Sequence, residues 1–282
     1  MRVLAVAALA LASSACLDAF GADLGRYVER EEKRFTVSGR PEVLVSTFDG
    51  AVEVRPWDRS DVEVVVEKHA GSKESAATIG VDAQQSGSRV TVDVRVPQRS
   101  GFGFHMNRSA KLIVSLPADA DLTARSGDGA IDVERLSGAL DLRSGDGSIT
   151  ARSINGSLSA TSGDGRIRID GVLDALRAHT GDGSMTIVAR EGSRTLKEWD
   201  VSTGDGSVSI ELPAGFGAEL DAHTGDGGVH VEGVTVSNVN GELRKDSVRG
   251  RIGAGGGALR IRTGDGSITL RSARSSGSGD SR

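Results

Sequence analysis

The chain has 282 residues, a formal net charge of −5, 39 glycines, one cysteine and only 3% aromatic residues. So few large rings argue against a compact globular core, and a lone cysteine excludes a disulfide framework. Lysine and arginine are spread along the chain with no basic patch interleaved with aromatics, which argues against nucleic-acid binding.

Residues 1–22 read as a signal sequence: Arg2, an apolar run from Val3 to Ala12, then small residues. The run is too short to span a bilayer. Cys16, preceded by Ser13-Ser14-Ala15, is a candidate lipid-attachment site, although Ser13 stands where such signals usually carry Leu. Ordinary cleavage after Ala15 or Gly21 is the alternative. Either way the expectation is export to the periplasm, outer membrane or cell surface, with membrane contact only through a lipid anchor. Residues 23–34 carry Glu29, Arg30, Glu31, Glu32, Lys33 and Arg34, and predict a charged spacer or short helix. Residues 35–120 predict longer, less regular β structure. Strands are expected at 35–54 around an Asp49-Gly50 corner, and at 62–67, 90–96 and 111–116. A Pro56-Trp57-Asp58 turn, a polar loop at 69–78 and a Gly-Phe loop at 97–107 separate them.

From residue 121 to 271 one tetrapeptide keeps returning. Ser-Gly-Asp-Gly begins at Ser126, Ser144 and Ser162, and Thr-Gly-Asp-Gly at Thr180, Thr203, Thr224 and Thr263. The aspartates are Asp128, Asp146, Asp164, Asp182, Asp205, Asp226 and Asp265, in steps of 18, 18, 18, 23, 21 and 39 residues. A period near 20 marks a stack of equivalent units. On both sides of each corner apolar and polar residues alternate, as in Leu140/Leu142 before Asp146 and Ile149/Ala151 after it, which is the period of a half-buried strand. A second corner falls between the aspartates, as at Ile154-Asn155-Gly156. Each unit is therefore strand, corner, strand, corner. The expected fold is all-β: a parallel β-solenoid, β-helix or β-roll like, with coils of about 18–21 residues stacked about 4.8 Å apart. A row of antiparallel hairpins is the alternative, and it predicts no stacking of the aspartates.

In this reading Gly supplies φ > 0 at the corner, Asp accepts backbone N–H groups as an Asx-turn, and Ser/Thr satisfies a corner amide from inside. The long step of 39 hides a worn coil in which Ser247-Val248-Arg249-Gly250 aligns with Ser162-Gly163-Asp164-Gly165, so Arg249 takes the Asp place. Asp49 opens an upstream copy in the same phase. Residues 272–282 are small and polar, and predict a disordered tail.

Stacked carboxylates would repel by about 0.9 kcal/mol per neighbour in water-like dielectric. Backbone hydrogen bonds at each corner can offset this, and basic residues also recur three before an Asp, at Arg125, Arg143, His179, His223 and Arg262. The aspartates are read as structural turn residues. A calcium β-roll is the sharper alternative, but one Asp per coil supplies few of the six to eight oxygens that Ca²⁺ takes. The five histidines lack metal-ligand spacing, and no metal or cofactor is expected. Each Ser and Asp near a His belongs to the repeat, so no catalytic residue stands out. A carbohydrate-active β-helix enzyme remains as an alternative; it would need a cleft with paired carboxylates.

The signal sequence, the Asp49-Gly50 strand pair, the Leu116-Pro117 and Leu212-Pro213 strand ends and the Ser/Thr-Gly-Asp-Gly-x-Ile/Val repeats resemble one bacterial family over about residues 35–271. It is the "putative adhesin" family of β-strand-repeat proteins, domain of unknown function number 4097. The resemblance implies an exported β-solenoid with a role in adhesion or envelope structure and carries no catalytic residues. The expectation is a non-enzymatic surface, with Ser148, Thr150, Arg166 and Arg168 among its contact residues, facing an envelope or surface partner, protein or glycan.

Overall fold

The structure, a computed structural model, describes residues 27–97, 108–237 and 245–273. The expected signal sequence with Cys16, the Gly-Phe loop, most of the expected tail and the 238–244 flank of the worn repeat lie outside the described residues. The chain is all-β apart from one helical turn. Its N-terminal part holds β1 (Tyr27–Thr36), β2 (Glu42–Thr47), β3 (Val52–Trp57), β4 (Asp61–Ala70), α1 (Lys73–Ala76), β5 (Gly80–Ser86), β6 (Arg89–Arg95) and β7 (Ser109–Pro117). The repeats supply β8 (Asp121–Ser126), β9 (Ile131–Glu134), β10 (Ser137–Ser144), β11 (Ile149–Thr161), β12 (Ile167–Thr180), β13 (Met185–Ala189), β14 (Trp199–Thr203) and β15 (Val208–Leu212). β16 (Ala218–Thr224), β17 (Val229–Glu232), β18 (Val236–Ser237), β19 (Ser247–Ile252), β20 (Ala258–Thr263) and β21 (Ile268–Ser272) complete the open sheet.

Strands before an Asp corner pair in parallel with one another, and so do strands after it. The first ladder runs Val43, Leu122, Leu140, Leu158, Leu176, Trp199, Leu259, Leu220, each the direct partner of the next. The second runs Val52, Ile131, Ile149, Ile167, Met185, Val208, Ile268, Val229. All of these but Val229 are buried. Alternation puts every second residue inside. Each fully buried Val, Leu or Ile stabilises by roughly 1.5–3 kcal/mol, against about 0–1 kcal/mol for an exposed ion pair. Apolar burial between the two ladders therefore dominates the energetics. Trp199 is the one buried indole among the described residues, and its ring lies 5.1 Å from that of Phe216.

The stack does not follow the chain. We call each level a tier and name it by its Asp. From register, the order is Asp49, Asp128, Asp146, Asp164, Asp182, Asp205, Asp265, Asp226. The last repeat is thus inserted between the two before it, and the Asp205 and Asp226 tiers do not touch as the sequence order implies. The first repeat is likewise tucked one place in, since β2 pairs with both β6 and β8, and β3 with both β7 and β9. Charge explains the C-terminal insertion. In one outward row Arg177, Asp200, Arg260, Asp221 and Arg249 are successive partners, and in the other Arg271 stands between Glu211 and Glu232. Stacking in chain order would set Asp200 against Asp221 and Glu211 against Glu232. Like charges directly opposite are destabilising and opposite ones favourable.

Three readings are corrected. Residues 27–36 form strand β1 rather than a spacer or helix. Their charges alternate sides and pair across to β4, with Lys68 Nζ 2.9 Å from Glu31 and Arg34 bonded to Glu63. The worn repeat is not a tier, because β19 runs antiparallel to β16 and Arg249 pairs with Asp221 at 2.9 Å instead of taking an Asp place. The Asp-corner glycines do not supply positive φ: of these only Gly50 has it, at 122°, whereas the second-corner glycines Gly138 and Gly156 have it at 153° and 130°. Their reason is close approach. A Cβ on Gly127, Gly145, Gly147 or Gly165 would collide with a backbone carbonyl of the tier beneath.

Gly147→Ala is expected to cost about 2–4 kcal/mol in urea melts, because neither backbone can yield. Gly71→Ala, where a Cβ meets nothing within 4 Å, should change stability by less than about 0.5 kcal/mol. Equal effects would refute the close-approach account. Arg260→Asp, which places three acids in file, should destabilise by about 1 kcal/mol at low ionic strength and recover as salt is added. A salt-independent effect would remove charge as the cause of the swapped order.

Candidate functional site

Each Asp corner is built from its opening hydroxyl. Ser126, Ser144, Ser162, Thr180, Thr203, Thr224 and Thr263 are buried. The hydroxyl accepts from the N–H of the second glycine of its own corner: Gly129 to Ser126 at 2.9 Å, Gly147 to Ser144 and Gly165 to Ser162 at 3.0 Å. The same hydroxyl donates to the second-glycine carbonyl of the adjacent tier. Ser144 reaches Gly129, Ser162 reaches Gly147, Thr180 reaches Gly165 and Thr203 reaches Gly183, all at 2.9 Å. The series passes through the swap, with Thr263 on Gly206 at 2.8 Å and Thr224 on Gly266 at 2.7 Å. The first glycines add a backbone rung, as from Gly145 N–H to Gly127 O and from Gly163 N–H to Gly145 O.

Asp49, Asp128, Asp146, Asp164, Asp182, Asp205, Asp226 and Asp265 all sit at the exposed turn of their corners, in one file. The expected Asx-turn is not their role, since the corner amide goes to the Ser/Thr hydroxyl. The basic residues three places earlier do not turn to them either. Arg143 pairs with Asp141 at 3.1 Å, Arg262 with Asp221 at 3.5 Å, and His179 bonds Ser202 at 3.0 Å. Among the described residues no three His, Cys, Asp or Glu side chains come together as metal ligands. The file is a solvated edge, and water screens the repulsion within it.

The two outer faces differ. On the face before the corners lies a depression of about 280 Å³, with Ser157, Ser159, Ala175 and Arg177 among the residues lining it and Lys197 and Glu198 at its side. Glu198 is taken by Arg260. A second depression of about 310 Å³ lies by Leu212, Phe216 and Ile252 near the swapped tiers. The resolved carboxylate shifts are downward: a hydrogen bond from Arg152 holds Glu134 below its ordinary value, and at Asp121 burial, which alone would raise it, is outweighed by the Ala139 N–H and Arg40.

On the face after the corners, two outward rows are largely hydroxyl. Thr150, Arg168, Thr186, Ser209 and Thr269 are successive register partners. Two residues earlier, each just before its strand begins, stand Ser148, Arg166, Ser184, Ser207 and Ser267. The sequence reading picked out Ser148, Thr150, Arg166 and Arg168 but not the other six. Their signal was present as a hydroxyl residue two and four places after Asp182, Asp205 and Asp265. On either side, Arg152 is bonded to Asp132 at 2.9 Å and Glu134 at 2.7 Å, and Arg190 to Asp170.

A family model described as Toastrack DUF4097 matches residues 43–198, more than half of the chain, and the chain belongs to that family. Its β-ladder repeats agree with this assignment. Among solved structures the chain is similar to a "putative cell adhesion protein" from Clostridium sporogenes, at 11% identity over 86% of this chain and 100% of that one, TM-score 0.36. A "putative adhesin" from Bacteroides fragilis matches at 12% identity over 86% and 97%, TM-score 0.40. A "putative lipid binding protein" from Parabacteroides distasonis matches at 13% identity over 87% and 97%, TM-score 0.42. None of the curated proteins matches this chain.

Ser162→Ala leaves the Gly165 N–H without its acceptor and is expected to destabilise by about 1–3 kcal/mol. Ser162→Thr, the residue found in four other corners, should be near neutral. Thermal or urea melts showing both variants equal to the parent would remove the hydroxyl ladder as a structural element.

Proposed function

We propose that the protein is an exported, non-enzymatic β-solenoid of the cell envelope. Its tiers are parallel coils of about 18–21 residues, and its hydroxyl-and-arginine face is an adhesin-like contact surface. The observation that carries this reading is the division of the molecule. The interior and the Asp edge are consumed by holding tiers together, while the two hydroxyl rows of one broad face are polar and, apart from Ser207, which accepts the Ser267 N–H at 3.3 Å, take no part in the hydrogen bonds between tiers. The signal-like segment ending near Cys16 supports export. The adhesion and lipid-binding titles belong to the neighbours; the adhesion-like role is carried to this chain as analogy of family.

Fractionation of the native organism, with intact mass of the mature N-terminus, should place the protein in the envelope, cleaved before or near Cys16. A bulky maleimide on Thr186→Cys should lower retention of the purified chain on envelope material at least five-fold, and the same label on Ser159→Cys, on the opposite face, should not. A cytoplasmic, unprocessed chain, or equal effects of the two labels, would overturn the reading.

A further inference from the structure

We propose that the hydroxyl-and-arginine face is a site for an acidic polysaccharide, a polyuronate lying along the stack axis with a carboxylate held between Arg166 and Arg168. The proposal rests on the contact-surface reading above and adds the ligand class. Arg168 lies on β12 and Arg166 immediately precedes that strand; both are exposed and two apart, so in extended backbone they stand about 7 Å apart on the same face, the span that lets two guanidiniums bracket one carboxylate. Neither is in an ion pair among the described residues. Their neighbours on the adjacent tiers are Thr150 and Ser148 on one side, Thr186 and Ser184 on the other. The flanking arginines of this face, Arg152 and Arg190, are neutralised by their own acids. The pair is thus a positive charge with no ion-pair partner among the described residues, set beside hydroxyl positions in a row that continues past Thr150 to Asp132, itself paired with Arg152.

That field has the geometry of a polymer site. Beyond the arginines three tiers carry Ser184/Thr186, Ser207/Ser209 and Ser267/Thr269, repeating at the strand spacing of about 4.8 Å, close to the length of one pyranose ring. Each hydroxyl donates and accepts, as a sugar hydroxyl does. A free anion would use the arginines and leave the hydroxyl rows idle. A neutral glycan would use the rows and leave the arginines idle. A membrane surface fits less well. Two cations give little attraction to anionic lipid, at about 1 kcal/mol each. The single exposed large apolar side chain among the described residues, Leu196, lies in the connection between β13 and β14, outside these rows.

Calorimetric titration of the mature chain with oligogalacturonates of one to eight units tests this. Affinity should be undetectable for the monomer, rise with length until the chain spans the four tiers, and fall as salt is added. R166S/R168T installs the residue types of the neighbouring tiers and so keeps the fold; it should lower affinity at least ten-fold. T186V/T269V keeps β-branched strand residues and should lower it at least three-fold, with circular dichroism unchanged. Length-independent binding, equal affinity of R166S/R168T, or capture by phosphatidylglycerol vesicles with no uptake of oligogalacturonate would overturn the assignment. If oligogalacturonates fail while the Thr186→Cys label still blocks envelope retention, the ligand class is wrong and the contact surface stands. If both fail, the face is not a contact surface.

Discussion

The contact on which the molecule depends is backbone against backbone at the Asp corners. Glycine on both sides of each Asp from Asp128 onward lets one tier settle onto the carbonyls of the next at a distance that no Cβ permits. That approach brings the Ser/Thr hydroxyl within reach of two tiers at once, so one side chain satisfies a donor in its own corner and an acceptor in its neighbour. With the corner edge fixed, both ladders must repeat at the same spacing. The interior becomes a narrow slot, which Val, Ile, Leu and Ala fill without strain. This accounts for the 3% aromatic content. Trp199 fits because the connections around its tier are longer, and its Nε1 is left without a hydrogen-bond partner, a local cost of that fit.

Much of this was legible in the sequence, for physical reasons. The period, the alternation and the in-phase hydroxyl all express one corner copied many times, and Asp49 could be matched to Asp128 across a gap of 79 residues by phase alone. Less legible was which tier sits on which. Stack order is decided between residues far apart in the chain, such as Arg260 with Asp200 and Asp221, and a repeat that fits any neighbour equally well carries no sign of it. β1 misled for a related reason: dense alternating charge reads as a solvated spacer until β4 is there to pair with it. The glycines were recognised for the wrong property, because one strand in isolation shows conformational freedom but not the carbonyl beneath.

The swapped order also bears on where a partner can act. Because the first and last repeats are each tucked one place inside, the ends of the stack are formed by other segments. At one end these are β1, β4 and β5, antiparallel to their neighbours, and at the other β18 and β19 cover β16 in antiparallel fashion while β17 remains parallel to β21. β1 presents a dense row of both signs of charge, a common device against edge-to-edge pairing. A further tier stacked on β19 would meet a strand of reversed direction. Recognition is therefore directed to the faces. There the outward positions can change without disturbing the corners, since no outward side chain takes part in the hydroxyl ladder. Arg166 and Arg168 illustrate this: the same ladder that accepts Ser and Thr at those places in neighbouring tiers accepts two guanidiniums here. A fold whose stability resides in its edge and interior leaves the chemistry of its face free to follow a ligand.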